Sequence, residues 1–257
     1  MKILTVGDIV GRSGLQKLKE VLPQIIKDNN IDFVIANGEN AAEGMGITEK
    51  MYKEMLALNV NVITMGNHTW GKKDIFNFID DKSIIRPANY TPNNPGRGYD
   101  IYECNGKRIG VINLIGRTSM NVLTENPFLV AKNIIDEIKN KTDIIFVDFH
   151  AEATAEKIAM GYFLDGQVTA VFGTHTHVQT ADETILEKGT AYITDIGMTG
   201  PIKSVIGMDV DVSIKRFETS LPEKYKVSEG KAKLCGCIFD IDDQTNKVKS
   251  ITRIIKK

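Results

Sequence analysis

Four histidines are all the imidazole this chain of 257 residues has, and each follows an apolar run in the company of oxygen donors. Asn67 and His68 close "NVITMGNH", His150 closes "DIIFVDFH", and His175 and His177 close "VTAVFGTHTH". Asp8 ends "KILTVGD", and Glu39 and Asn40 follow "DFVIAN". Singly, each has an ordinary explanation: a strand-end Asp or Asn caps the next helix, and a lone His is more often a hydrogen-bonded core residue than a ligand. Jointly the balance reverses, because neither capping nor packing requires every histidine to stand beside oxygen donors. Imidazole, carboxylate and amide without thiolate suit cations such as Mn, Fe, Zn or Co and argue against a structural zinc. With about seven donors and one carboxylate able to bridge, two ions roughly 3.5–4 Å apart is the economical arrangement. Such a pair clamps a phosphate oxygen and lowers the pKa of a bridging water.

Donors gathered from five places need elements that end side by side. The five runs that carry them are short, apolar or β-branched, and closed by polar clusters, which is the pattern of buried strands. Apolar spacings of three and four predict amphipathic helices through Leu15, Leu18, Leu22 and Ile25, through Met51 and Met55, through Ile75, Phe76 and Ile79, and through Ile134, Ile135 and Ile138. Pro23 predicts a kink or an early stop in the first of these. Asn105-Gly106 predicts a two-residue type I′ hairpin within "YDIYECNGKRIGVINL". "ETILEKGTAYITDIG" and the C-terminal segment read as further strands, and "ETSLPEKYKVSEGKAK" as a polar surface excursion. The expectation is an α/β fold with mixed sheets, organised as a single domain over residues 1–257. Ligands of open α/β sheets bind beyond the carboxyl ends of the strands, where these donors stand.

Composition narrows the function. At 42% hydrophobic and 25% charged, the chain is ordinary for a globular protein with a sizeable core. Asp8 comes too early for a secretory apolar region, and no apolar run approaches the ~18 residues of a membrane span. Three cysteines in that context fit reduced thiols, with Cys235 and Cys237 alternating as strand residues packed in the core. A cytoplasmic protein with no membrane partner is expected. Thirty-two basic against 33 acidic residues leave a net charge of -1, so no global positive field attracts a nucleic-acid polymer or an anionic membrane surface.

In their order and spacing, "GD" at 7–8, "NGEN" at 37–40, "GNH" at 66–68, "FH" at 149–150 and "GTHTH" at 173–177 resemble the calcineurin-like metallophosphoesterases. The similarity to YmdB-type bacterial phosphodiesterases extends further, through "NGENAAEGMGIT", "TMGNHTWGKKDIF", "IRPANY" and "DIGMTGP". Two positions depart from the broad superfamily: Ile9-Val10 stand where it has the histidine of Asp-x-His, and Glu39 replaces its bridging Asp. YmdB-type proteins share both departures.

The resemblance implies an αββα sandwich, with mixed β-sheets flanked by helices, and a dinuclear centre of divalent or trivalent ions, iron or manganese ahead of zinc or magnesium. It places Asp8, Glu39, Asn40 and His177 around one ion, and Glu39, Asn67, His150 and His175 around the other. A turn at "THTH" would let the paired histidines serve different ions. His68 would be the proton donor to the leaving oxygen, a role suited to imidazole. The implied reaction is hydrolysis of small cyclic nucleotides, 2′,3′-cyclic AMP and also 3′,5′-cyclic AMP, by metal-activated hydroxide, and the implied assembly is a homo-oligomer. Competing readings are a phosphomonoesterase or nuclease on the same centre, and a regulatory protein that binds metal and nucleotide without turnover. "IGRT" at 115–118 and "GMTGP" at 197–201, read as loops, offer Thr118 and Thr199 as substrate contacts. "GRSG" at 11–14 is a candidate phosphate-binding turn, and Trp70 either lines the site or packs.

Overall fold

Alternate side chains of the central strands face two different cores, and this sorts the chain into layers. In the computed structural model, which describes residues 1–257, β1 (Lys2–Val6), β3 (Phe33–Asn37), β4 (Val62–Thr64) and β5 (Ile84–Ile85) run parallel in one sheet. The C-terminal hairpin of β13 (Ala232–Ile241) and β14 (Val248–Lys256) joins antiparallel to β1, and β12 (Met198–Pro201) with β2 (Asp8–Ile9) completes that sheet. In the second sheet β7 (Lys107–Ile115), β8 (Ile144–His150), β9 (Ala170–Thr174) and β11 (Ala191–Ile193) are parallel neighbours. β6 (Tyr99–Cys104) and β10 (Thr184–Ile185) are its antiparallel edges.

Ile3, Phe33, Ile35, Phe146, Phe172 and Phe239 fill the space between the sheets. Their neighbours Leu4, Val34 and Ala36 point the other way, onto α1 (Gly11–Asn29) and α2 (Glu49–Ala57). Ile145, Val147 and Val171 meet α3 (Pro127–Ile138) and α4 (Thr154–Leu164) on the opposite side. Strands covered on both faces must be apolar throughout, which is why these five runs lack polar alternation. The layers are helix, sheet, sheet, helix, the αββα sandwich that the resemblance implies. Phe146 of one sheet meets Phe239 of the other edge to face, centroids 5.1 Å apart, and Phe146→Ala would cost about 3–5 kcal/mol of stability. No helix is long and apolar enough to cross a membrane.

The Asn105-Gly106 hairpin forms as expected, with φ of 50° and 75°, joining β6 to β7. Other expectations change. Pro23 does not stop α1, which continues to Asn29. Leu22 and Ile25 on either side of it are buried in the core, and that packing outweighs the roughly 3 kcal/mol propensity cost of an interior proline. The helix expected through Ile75 and Ile79 is a short 3-10 turn, Lys73–Asn77. The segment 197–201 is mostly strand rather than loop, because β12 finds partners in β2 and β13. α4 and the exposed α5 (Val210–Thr219) arise where no helix was expected.

Candidate metal centre

Strand register decides which side chains can meet. Val6 of β1 pairs with Ala36 of β3, and Asn37 with Thr64 of β4, so Asp8, Glu39, Asn40, Asn67 and His68 leave one edge of the first sheet within a turn of one another. In the second sheet His150, the last residue of β8, pairs with Thr174, the last of β9, and His175 and His177 follow. The stacked sheets bring both edges together. Gly66 is glycine for a steric reason: a Cβ there would collide with the His150 ring and the Glu39 carboxylate.

All seven candidate ligands converge, in two lobes. In one, His150 Nε2 lies 3.0 Å from Glu39 Oε1, 2.9 Å from Asn67 Oδ1 and 3.0 Å from His175 Nδ1. In the other, Asp8 Oδ1 is 3.6 Å from His177 Nε2, and Asn40 Nδ2 is 3.5 Å from Asp8 Oδ1 and 3.3 Å from His177 Nε2. Glu39 belongs to both, since the oxygen facing His150 also accepts from Asn40 at 3.1 Å. His175 and His177 separate because the backbone turns sharply, with φ of 96° and 64°. Asn40 turns its nitrogen toward the cluster; holding a cation requires the half-turn of the amide that presents Oδ1.

Each of the three second-sheet imidazoles has its far nitrogen tied. His150 Nδ1 donates to Thr174 Oγ1 at 2.9 Å, and that hydroxyl donates to Asp148 at 2.7 Å. Thr64 donates to the other oxygen of Asp148 at 2.5 Å. His177 Nδ1 donates to the Ile206 carbonyl at 2.7 Å. His175 Nε2 meets Glu152 at 3.1 Å. With the far nitrogens donating outward, the near nitrogens are the ones that present lone pairs to a cation once deprotonated, the arrangement metal-ligating histidines have.

The electrostatics point the same way. Burial opposes charge on Asp8 and Glu39, yet the facing histidines hold both carboxyls below the usual range, His177 and His150 acting on Asp8 and His150 chiefly on Glu39. Burial likewise opposes protonation of His177, but Asp8 and the Ile206 carbonyl push it up to about 9. His150 is raised against its burial by Glu39 and Asp8, while burial and the neighbouring His150 push His175 down to about 3. The His175–Glu152 contact is therefore a hydrogen bond from a neutral ring. Acceptors crowded this closely are stable only with positive charge among them, which a proton on His177 supplies and a cation would replace. The donor set fits a metal centre.

His68 stands at the rim, half-buried. Its backbone N–H donates to Glu39 Oε2 at 2.7 Å, and no hydrogen bond ties its ring. Thr118 is exposed, in a loop whose N–H groups at Arg117 and Thr118 are held by Glu156 beside the end of β7. Thr199 is corrected: it lies in β12, fully buried, with its hydroxyl toward the Cys235 carbonyl, so it presents nothing to a substrate. "GRSG" is the first turn of α1 rather than a separate loop. Trp70 packs, stacked on Phe76 at 5.6 Å. Sequence reasoning passed over Asp148, Thr174 and Glu152. Asp148 had a readable signal, a charge inside "IIFVDFH", whereas a threonine and a surface glutamate carry none.

Comparison with known proteins gives the chain close relatives and shared folds. Over 256 residues the chain is 52% identical to the 2′,3′-cyclic-nucleotide 2′-phosphodiesterase of Bacillus subtilis (strain 168), covering 99% of this chain and 97% of that one. The solved structure of a phosphatase from Mycoplasma pneumoniae superposes with a TM-score of 0.94 at 40% identity, covering 100% of this chain and 93% of that one. Haemophilus influenzae NAD nucleotidase shares the fold alone, with a TM-score of 0.63 at 14% identity over 99% of this chain and 55% of that one. The family described as YmdB-like protein matches residues 4–254, and the chain belongs to it.

Proposed function

We propose that the chain is a metal-dependent phosphodiesterase hydrolysing small cyclic nucleotides, with 2′,3′-cyclic AMP the leading substrate and 3′,5′-cyclic AMP the second. The observation that carries this reading is the set of three imidazoles, each offering one nitrogen to a buried acid–amide cluster while an outer acceptor holds the other. Asp8, Glu39, Asn40 and His177 would hold one ion, and Glu39, Asn67, His150 and His175 the other. Nitrogen and oxygen donors without thiolate suit iron, manganese, zinc or cobalt alike, and it is the resemblance to YmdB-type phosphodiesterases that puts iron and manganese first. Bound there, the ions supply Lewis-acid activation of the phosphate and of the attacking water.

The chain's own residues do the rest. Buried Asp8 and Glu39 balance cationic charge, the outer partners keep the imidazoles aimed, and His68, with its ring untied at the rim, can hand a proton to the leaving oxygen. The activity named for the Bacillus relative supports the substrate class. The net charge of -1 supports a small substrate over a polymer. The core shared between the sheets supports one domain over residues 1–257, and the free cysteines support a reducing, cytoplasmic setting.

The test is metal analysis of the purified protein, followed by a cyclic-nucleotide panel with bis-p-nitrophenyl phosphate and p-nitrophenyl phosphate. Two ions per chain, turnover of cyclic nucleotides and a preference for the diester are expected. No bound metal, together with no diesterase activity on adding manganese or iron, would remove the reading.

A further inference from the structure

We propose that a buried ion pair, Lys157 with Asp195, positions the His175-Thr176-His177 turn, so that both residues act through the histidines on metal binding; the inference rests on the cluster being a metal centre. Both histidines adopt left-handed backbone angles that side-chain-bearing residues avoid, and these persist only where the surroundings over-determine them. Thr176, between them, is gripped twice by one oxygen. Asp195 Oδ2 accepts its backbone N–H at 3.1 Å and its hydroxyl at 2.7 Å. The same oxygen meets Lys157 Nζ at 2.7 Å, and Oδ1 accepts the Gly197 N–H at 2.8 Å.

Asp195 also holds the chain beyond the turn. Its N–H donates to Thr180 Oγ1 at 2.9 Å and its carbonyl accepts the Thr180 N–H at 3.0 Å. The Lys157 and Asp195 side chains are 1% and 0% exposed. Buried charges are costly unless paired and fully hydrogen-bonded, and four donors satisfy this carboxylate. The lysine arrives from α4, and its stem passes beside Gly173, where a Cβ would stand 3.0 Å from Lys157 Cδ. With Thr176 fixed in rotation, His175 Nδ1 faces His150 while His177 Nε2 faces Asp8.

Substituting Lys157 or Asp195 alone strands a buried charge and is expected to unfold the chain. The test therefore uses half-buried Thr176 in the full-length protein. Thr176→Val deletes the hydroxyl bond and keeps the ion pair, and Thr176→Ser retains the hydroxyl. Manganese is titrated into metal-free protein, free ion is read by electron paramagnetic resonance, and the melting temperature of the metal-free protein is measured alongside. Thr176→Val should lose about 10–100-fold in manganese affinity, Thr176→Ser no more than about threefold, with both melting within about 5 °C of wild type. Unchanged affinity in Thr176→Val, equal losses in the two variants, or a larger fall in melting temperature would each overturn the positioning role. A wild type that takes up no manganese would overturn the metal centre itself, and this role with it.

Discussion

The first sheet delivers Asp8, Glu39, Asn40 and Asn67 to the cluster and the second delivers His150, His175 and His177, and the two sets are held by different means. The two carboxylates of the first sheet are tethered by backbone, Glu39 by the His68 N–H and Asp8 by the His175 N–H, while the Asn40 and Asn67 amides bond only within the cluster. The imidazoles of the second sheet are tethered outward, to a threonine–aspartate chain, a carbonyl and a surface carboxylate. One sheet supplies charge and the other supplies direction. Changes in the first should therefore alter how strongly cations are held, and changes behind the second how well their ligands are aimed.

Glu39→Gln is the largest break in that comparison. The carboxylate touches both lobes, and a neutral amide cannot offset the repulsion of two cations. Metal content should fall below two ions per chain and turnover to background. Two ions with ordinary turnover would show that the first sheet's charge is not what holds them.

His68 comes from the first sheet yet is an imidazole, so it tests the division from the other side. His68→Asn should keep the ions and lose about 10²–10⁴-fold in turnover of a diester with a poor alkoxide leaving group. The loss should shrink for p-nitrophenolate, which needs no proton. An equal loss on both substrates, or a missing ion, would make His68 part of the cation-holding set.

Where the sheets meet, charge and direction become one question of pH. His177 is raised from 6.5 to about 9, mainly by Asp8 acting against burial. In the metal-free protein its contribution to stability is fully present below its unfolded value and is lost as pH rises through about 9. Cation uptake runs the opposite way, because the proton must first leave Nε2. Manganese affinity should rise about tenfold per unit between pH 7 and 9, roughly 10²-fold in all, with proton release measurable by titration calorimetry in buffers of different ionisation enthalpy. Affinity flat across this window would mean that Asp8 does not hold a proton on His177 Nε2 for a cation to displace.

The charge side of this division was legible in sequence and the direction side largely was not. Asp8, Glu39, Asn40, Asn67 and the histidines could be found because buried parallel strands are continuous apolar runs, and polar residues closing such runs stand out. β12 was read as a loop because Gly200 and Pro201 signal turns locally, while its strand character comes from β2 and β13, distant in sequence. Lys157 carried no signal in a segment not expected to be helical, and only the approach of α4 to Asp195 makes it a buried partner. A ligand is chosen for its own chemistry, whereas an outer partner is chosen for where the fold puts it.

Asp148→Asn tests direction alone. The carboxyl is buried, held by Thr64 and Thr174, and its pKa is pushed up to about 7, chiefly by burial. An amide offers one acceptor where two donors arrive, so Thr174 and the His150 ring behind it should loosen. Manganese affinity should drop about 10–100-fold, the usual cost of losing an outer partner. If affinity holds, His150 is aimed by its position in β8 and not by the chain behind it.

Glu152→Ala should be the smallest effect, and it asks whether an outer partner matters by its chemistry or by its burial. Glu152 does for His175 what Asp148 does through Thr174 for His150, receiving the far ring nitrogen at 3.1 Å, but its side chain is 51% exposed. Water can take over an exposed acceptor at little cost, whereas a buried donor left without one bears the full desolvation penalty. His175 also keeps the left-handed turn that aims it, which Glu152 does not touch. The substitution should therefore lower manganese affinity less than about threefold, the range of an exposed polar pair. A loss matching that of Asp148→Asn would mean that the carboxylate itself, wherever it sits, sets the basicity of the ring, and that the second sheet contributes charge as well as direction.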